Sequence, residues 1–177
     1  MSRPVVERSL PDGADRADRA QADSRMRELL SRPDPGPVGE RLALLHFTGR
    51  RTGRPYTVPA GVHRLGGAPV VATGSPWRHN FAGGADGELT WRGERTQVRF
   101  LLVADPERTA HGYLELYERY GEAAERRLGI TVAGGRTPGF EEFENAVQRC
   151  GLSLVEVVPR TAATDVTTDT ANERTPR

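Results

Sequence analysis

The chain contains no lysine, and all 25 of its basic residues are arginine. Alongside 20 glycines and 13 prolines, this reads as the bias of a genome rich in G and C, not as chemistry in itself. Its single cysteine, Cys150, excludes a disulfide framework and a cysteine-based zinc site. No run of about 18 apolar residues occurs, which excludes a membrane-spanning helix. Met1-Ser2-Arg3-Pro4 lacks the apolar segment of a secretory leader, so a cytoplasmic address is expected. Aromatic residues make up only 6% and the net charge is +1, which argues against a nucleic-acid binder with a stacking ladder and a basic face. A length of 177 residues suits one domain with a single core.

Acids are also missing locally. Between Arg41 and Ala85 there is no Asp or Glu, while the same stretch holds Arg41, Arg50, Arg51, Arg54, Arg64 and Arg78, with His46, His63 and His79. Such a stretch in a near-neutral protein points to something anionic held there. The alternative is chance clustering, balanced by acids from elsewhere in the fold.

Residues 1–14 read as irregular. A charged, Ala-rich helix follows over 14–31, with Met26, Leu29 and Leu30 forming a thin stripe, and ends at Arg32-Pro33-Asp34-Pro35-Gly36-Pro37. It is expected to dock on the domain or make a dimer contact. Strands are expected over 42–48, 56–65, 69–73, 88–91, 96–103 and 152–158, with turns at Gly66-Gly67 and Arg92-Gly93. Helices are expected over 77–82, 106–120 and 140–150, the second carrying Ala110, Tyr113, Leu114 and Tyr117 on one face. Residues 161–177 are polar and aperiodic and read as a disordered tail. Antiparallel hairpins with helices at the edges indicate a mainly β, α+β domain built as a small barrel.

Templates for protein-only catalysis are absent. There is no dinucleotide or P-loop fingerprint, Ser75 is not on a nucleophile elbow, and the histidines lack metal-ligand spacing, so no metal is expected. Glu141, Glu142 and Glu144 read as a solvated helix face. A bound cofactor is the better source of reactivity. Three segments can hold one. Arg50-Arg51-Thr52-Gly53-Arg54 offers guanidinium forks, a hydroxyl and turn amides to an anion, or is an ordinary exposed hairpin. Thr57, Pro59, Gly61 and His63 share one strand face of little bulk, which suits a flat ring or a bulge. Ala72 to Phe81 opens a helix at Thr73-Gly74-Ser75-Pro76, with Trp77 and Phe81 at core spacing.

In this order the segments resemble the deazaflavin-dependent nitroreductase family of the flavin/deazaflavin oxidoreductase superfamily. Leu44 to Pro59 is similar to its Gly-Arg-basic-Ser/Thr-Gly-x-Pro…Pro signature. Val70 to Gly74 and Trp77-Arg78-His79-Asn80-Phe81 are similar to its Val-Val-Ala-Ser and Trp-Tyr-x-Asn-Leu elements. The likeness runs over about 38–160, implying an N-terminal arm with a helix over 1–37 and a split β-barrel, FMN-binding-like domain over 38–160. The resemblance implies coenzyme F(420), an 8-hydroxy-5-deazaflavin with a polyanionic tail, or FMN as the alternative, and allows a homodimer. By resemblance, Arg50, Arg51, Thr52, Gly53 and Arg54 meet the phosphate or tail. Thr57, Pro59 and Ala60 flank the ring; Ala72, Thr73, Gly74 and Ser75 line the phosphate end; Trp77, Arg78 and Asn80 cover the tail.

The implied reaction is hydride transfer from the reduced deazaflavin to a small enone, quinone or nitro compound, with a place in secondary metabolism. Ala60-Gly61-Val62 replace the aromatic residues that close nitroreductases carry after the motif proline, the Gly74–Trp77 loop is short, and His79 is unusual in its helix. The substrate pocket is therefore not that of a nitroreductase, and His63, His79, Tyr113 and Tyr117 are the candidates to polarise or protonate a substrate. The alternatives are an FMN-dependent reductase, and a non-redox enzyme or ligand-binding protein reusing the pocket.

Overall fold

The computed structural model describes residues 2–9 and 16–161. Its strands are β1 (Val5–Arg8), β2 (Leu42–Thr48), β3 (Pro55–Leu65), β4 (Ala68–Thr73), β5 (Ala85–Trp91), β6 (Glu94–Leu102), β7 (Ile130–Ala133) and β8 (Ser153–Pro159). The α-helices are α1 (Arg16–Leu30), α2 (Pro106–Tyr120), α3 (Ala124–Leu128) and α4 (Phe140–Cys150). Six strands close into an antiparallel barrel in the order β2-β3-β4-β8-β6-β5. The expected α+β architecture, mainly β with helices at its edges, is the observed one.

Strand alternation builds the barrel core. Ala43, Leu45 and Phe47 of β2, Val62 of β3, Val71 of β4, Phe100 of β6 and Val155 and Val157 of β8 point inward and are buried together. Phe81, fully buried, plugs this interior from the 3-10 helix Pro76–Phe81. Burying each of the Val, Leu and Phe side chains stabilises the fold by about 1.5–3 kcal/mol. The β3–β4 connection is a two-residue turn in which Gly66 and Gly67 both take positive φ, as the twist of a tight hairpin requires. Pro59 sits where β3 pairs only with β2, opposite Leu44, before the strand crosses to β4 at Val62. Its missing N–H therefore costs no ladder bond.

A second core lies outside the barrel. Ala110, Tyr113 and Leu116 of α2 meet Phe143 and Ala146 of α4, with Leu128, Ile130, Leu152 and Leu154. The Asp105 carboxylate caps α2 by accepting from Glu107 N (3.0 Å), with Pro106 in the first turn. Burial pushes the Tyr113 phenol pKa up, and its hydroxyl donates to the Ser153 carbonyl (3.1 Å).

Residues 1–14, expected to be irregular, contain β1. It pairs antiparallel with β7, Val6 opposite Val132, and buries Val6 completely in the helical core. One anchoring side chain suffices for a four-residue strand, which is too short to show alternation. The Ala-rich helix docks on β2 and β3 through α1, leaving Leu30 only 2% exposed. Of the polar tail expected over 161–177, everything beyond Thr161 lies outside the described residues.

Candidate functional site

The structure places part of the sequence-derived candidates in two separate cavities. The first is a cleft of about 790 Å³ between the β2–β3 turn and the Pro76–Phe81 helix. Arg50, Arg51 and Thr52 form one wall, with Trp77, His79 and Asn80 opposite and Phe47 and Tyr56 beside them. Phe47 stacks on Tyr56 (5.6 Å between ring centroids) and lies 6.3 Å from Trp77. Asn80 ties the walls together: its Oδ1 accepts from Arg50 N (2.8 Å) while its Nδ2 donates to the Trp77 carbonyl (2.8 Å). Gly49 is required by close approach, because a Cβ there would lie 2.5 Å from the Tyr56 ring and 2.7 Å from Thr52 Oγ1.

The turn is not the open nest of amides that its sequence suggested. Gly49 N donates to the Arg54 carbonyl (2.7 Å), Gly53 N to the Gly49 carbonyl (2.9 Å) and Arg54 N to Thr52 Oγ1 (3.3 Å). What remains for an anion is mainly the guanidiniums. Among the described residues, neither Arg50 nor Arg51 makes an ion pair, and no carboxylate lines the cleft. Gly53 and Arg54 belong to the same turn but do not line the cleft.

The second cavity, about 820 Å³, lies on the outer face of the barrel. Gly61 and His63 of β3 and the Ala72–Ser75 segment form its floor; Met26 of α1, Val38 and Leu42 are apolar walls; Arg8, Arg41, Arg126 and Arg127 surround it. His63 is 3% exposed. Its Nδ1 lies 2.7 Å from the Tyr120 hydroxyl, and its Nε2 is buried without a hydrogen-bond partner among the described residues. Burial first, and then the charges of Arg127 and Arg119, push its pKa down to about 4, so the ring is uncharged at neutral pH. Arg8 Nη1 and Arg78 Nη1 both donate to the Gly74 carbonyl, at 2.7 and 2.8 Å. Burial lowers the Arg78 pKa, and the facing Arg8 lowers it further.

The remaining candidates line neither cavity. Pro59 and Ala60 occupy opposite strand faces, and Ala60 packs against the barrel core. Thr57 Oγ1 is 3.1 Å from His46 Nδ1, whose ring also meets Thr90 Oγ1 at 2.8 Å, so that histidine is satisfied on both sides. Arg78 holds the carbonyls of Gly74 and Ser75. Tyr117 packs on Phe143 (5.6 Å between centroids) in the helical core. The helix after Ser75 is a six-residue 3-10 turn without a side-chain cap, too short to offer the helix dipole expected there. Arg8, Tyr120, Arg126 and Arg127 escaped the sequence reading. The Arg126-Arg127 doublet was its nearest signal, but it lies far outside the acid-free stretch.

Among the described residues, no group of three or more His, Cys, Asp or Glu side chains is placed to hold a metal, and no helix is long and apolar enough to cross a membrane.

No family model and no curated protein matches the chain. Among solved structures, it is similar to HutZ, the heme storage protein from Vibrio cholerae, at 12% identity over 78% of this chain and 90% of that one, with a TM-score of 0.42. It is also similar to an F(420) reductase, at 16% identity over 86% of this chain and 97% of that one, TM-score 0.36. A third is the FAD and heme binding protein from Mycobacterium smegmatis, at 21% identity over 83% and 89% of the two chains, TM-score 0.33.

Proposed function

We propose that the chain is an oxidoreductase that holds an anionic, flat-ringed cofactor of the flavin or deazaflavin class in the cleft between the β2–β3 turn and the Pro76–Phe81 helix. Within that class we favour coenzyme F(420), acting on a small conjugated acceptor such as an enone, quinone or nitro compound. One observation carries the reading: Arg50 and Arg51 line one cleft together with the aromatic side chains of Phe47, Tyr56 and Trp77, and among the described residues no carboxylate lines it. Guanidiniums suit phosphate and carboxylate oxygens, aromatic faces suit a ring system, and the volume of about 790 Å³ falls in the usual range for small-molecule sites. Gly49 adds to the fit, because any side chain there would displace Tyr56 and Thr52 from the wall.

Bound there, a deazaflavin would supply hydride chemistry that no side chain possesses. The chain's own part is binding, orientation and proton supply. Arg50 and Arg51 neutralise the anionic end; Thr52 adds a hydroxyl; Asn80 fixes the spacing of the two walls through Arg50 N and the Trp77 carbonyl. His79, exposed in the same cleft, is the side chain best suited to give a proton to the acceptor's heteroatom.

The test is equilibrium titration with F(420) and, separately, with FMN, followed by fluorescence at low and moderate salt. Saturable, salt-sensitive binding of F(420) supports the reading. Arg50→Ala and Arg51→Ala should each cost about 1.5–3 kcal/mol of that affinity. Binding of FMN alone moves the assignment to the flavin. Binding of neither removes the redox reading.

A further inference from the structure

The cavity on the outer face of the barrel has the marks of a site in its own right, independent of where a cofactor sits. It is lined by His63, whose Nε2 is buried and, among the described residues, unpartnered. A buried polar nitrogen left unpaired carries a desolvation penalty, which a ligand oxygen would remove. Space for that oxygen exists because Gly61 has no side chain: a Cβ there would stand 3.4 Å from His63 Nε2 and 3.8 Å from the Arg127 carbonyl.

The charges around the imidazole decide the kind of ligand. Tyr120 and Arg119 face it from α2 and Arg127 from α3, while Arg8, Arg41 and Arg126 complete the lining. Among the described residues, none of Arg8, Arg41, Arg126 and Arg127 makes an ion pair with a carboxylate. Arg127 lies over the Tyr120 ring, 3.7 Å from its centroid, and Arg8 shares the Gly74 carbonyl with Arg78. Two guanidiniums on one carbonyl repel each other, and an anion beside them relieves the repulsion. The other walls, Met26, Val38, Leu42, Ala72 and Leu128, are apolar.

We propose that this cavity binds a small organic anion with an apolar body, a conjugated carboxylate, whose oxygen accepts a hydrogen bond from Nε2–H of His63 while its charge sits among Arg8, Arg41, Arg126 and Arg127. The arrangement requires the tautomer with the proton on Nε2. Tyr120 sets it when its hydroxyl donates to Nδ1, across the observed 2.7 Å. Tyr120 is thus a positioning residue, and His63 is the group that touches the ligand.

The experiment uses the full chain without any cofactor and trans-cinnamate as the probe, with cinnamyl alcohol as its uncharged counterpart. Calorimetry reads affinity, and long-range ¹H–¹⁵N spectra of the labelled protein read the His63 ring. The expected results are an Nε2–H tautomer in the free protein and saturable cinnamate binding that moves the His63 Nε2 resonance. Cinnamyl alcohol should bind about tenfold more weakly or worse, and Arg41→Ala with Arg126→Ala, both exposed side chains, should lose about tenfold in cinnamate affinity. Tyr120→Phe should shift the tautomer balance and weaken binding without unfolding the chain. An Nδ1–H tautomer overturns the proposal, as does equal binding of acid and alcohol, or cinnamate binding that leaves the His63 resonances and the double variant's affinity unchanged. Absence of cinnamate binding overturns it too, whatever F(420) does in the other cleft.

Discussion

Replacing His63 with glutamine removes an imidazole that burial holds uncharged down to about pH 4, against an ordinary value of 6.5. The side chain is 3% exposed, so solvent screens little of this effect. At roughly 1.36 kcal/mol per pH unit, the displacement corresponds to about 3 kcal/mol of stability. The sign follows from proton counts. Below its ordinary value the imidazole is protonated in the unfolded chain and still bare in the folded one, so the unfolded state binds more protons. The stability is therefore fully present above about pH 6.5, falls as pH drops through the window, and levels off below the folded value of about 4.

The assay is urea denaturation of the wild type and His63→Gln at a series of pH values between 7 and 4. Burial also lowers the His46 pKa, and the Gly139 N–H bond lowers that of Glu142; both contributions are common to the two proteins and cancel in their difference. That difference should shift by about 3 kcal/mol against the wild type on acidification. A gap that stays constant from pH 7 to pH 4 refutes the reasoning, as does direct NMR titration of His63 near its ordinary value.

Other perturbations test the framework. Asn80→Ala removes the bond from Arg50 N that joins the Arg-bearing turn to the facing helix, and with it the helix's own bond to the Trp77 carbonyl; it should cost about 1–2 kcal/mol in denaturant unfolding and speed amide exchange at Arg50. In Gly87→Ala, the new Cβ would sit 2.4 Å from the His46 carbonyl oxygen and 2.7 Å from the Phe100 ring. Its neighbours are barrel backbone and a fully buried ring, so the melting temperature should fall by an amount equivalent to about 1–3 kcal/mol or more. Phe143→Ala empties the space between Tyr113 and Tyr117 and should lower the free energy of unfolding by about 3–5 kcal/mol.

The long elements were legible because several local signals agreed. Residues 106–120 carry Ala110, Tyr113, Leu114 and Tyr117 at helical spacing, and α2 spans Pro106–Tyr120; residues 140–150 end at Gly151, and α4 spans Phe140–Cys150. The strand expected over 42–48 is likewise β2, whose inward residues Ala43, Leu45 and Phe47 alternate as a barrel demands. β1, β7 and α3 were not legible, since each is at most five residues long and owes its form to partners remote in sequence. The acid-free stretch did mark the Arg50–Arg51 wall. Its arginines diverge in the fold, though: Arg64 lies over Trp91 at 5.4 Å, and Arg78 holds backbone carbonyls. The outer cavity draws Arg8, Arg41 and Arg126 from three distant segments, a juxtaposition that only barrel closure and the β1–β7 pairing create.

The central claim concerns one place, the cleft between the β2–β3 turn and the Pro76–Phe81 helix. A crystal structure of the complex with F(420) tests it directly. The expected result is a ligand whose phosphate or tail meets Arg50 and Arg51, with Trp77 and Tyr56 against it. A ligand seated instead beside His63, with Arg50 and Arg51 untouched, would contradict the claim.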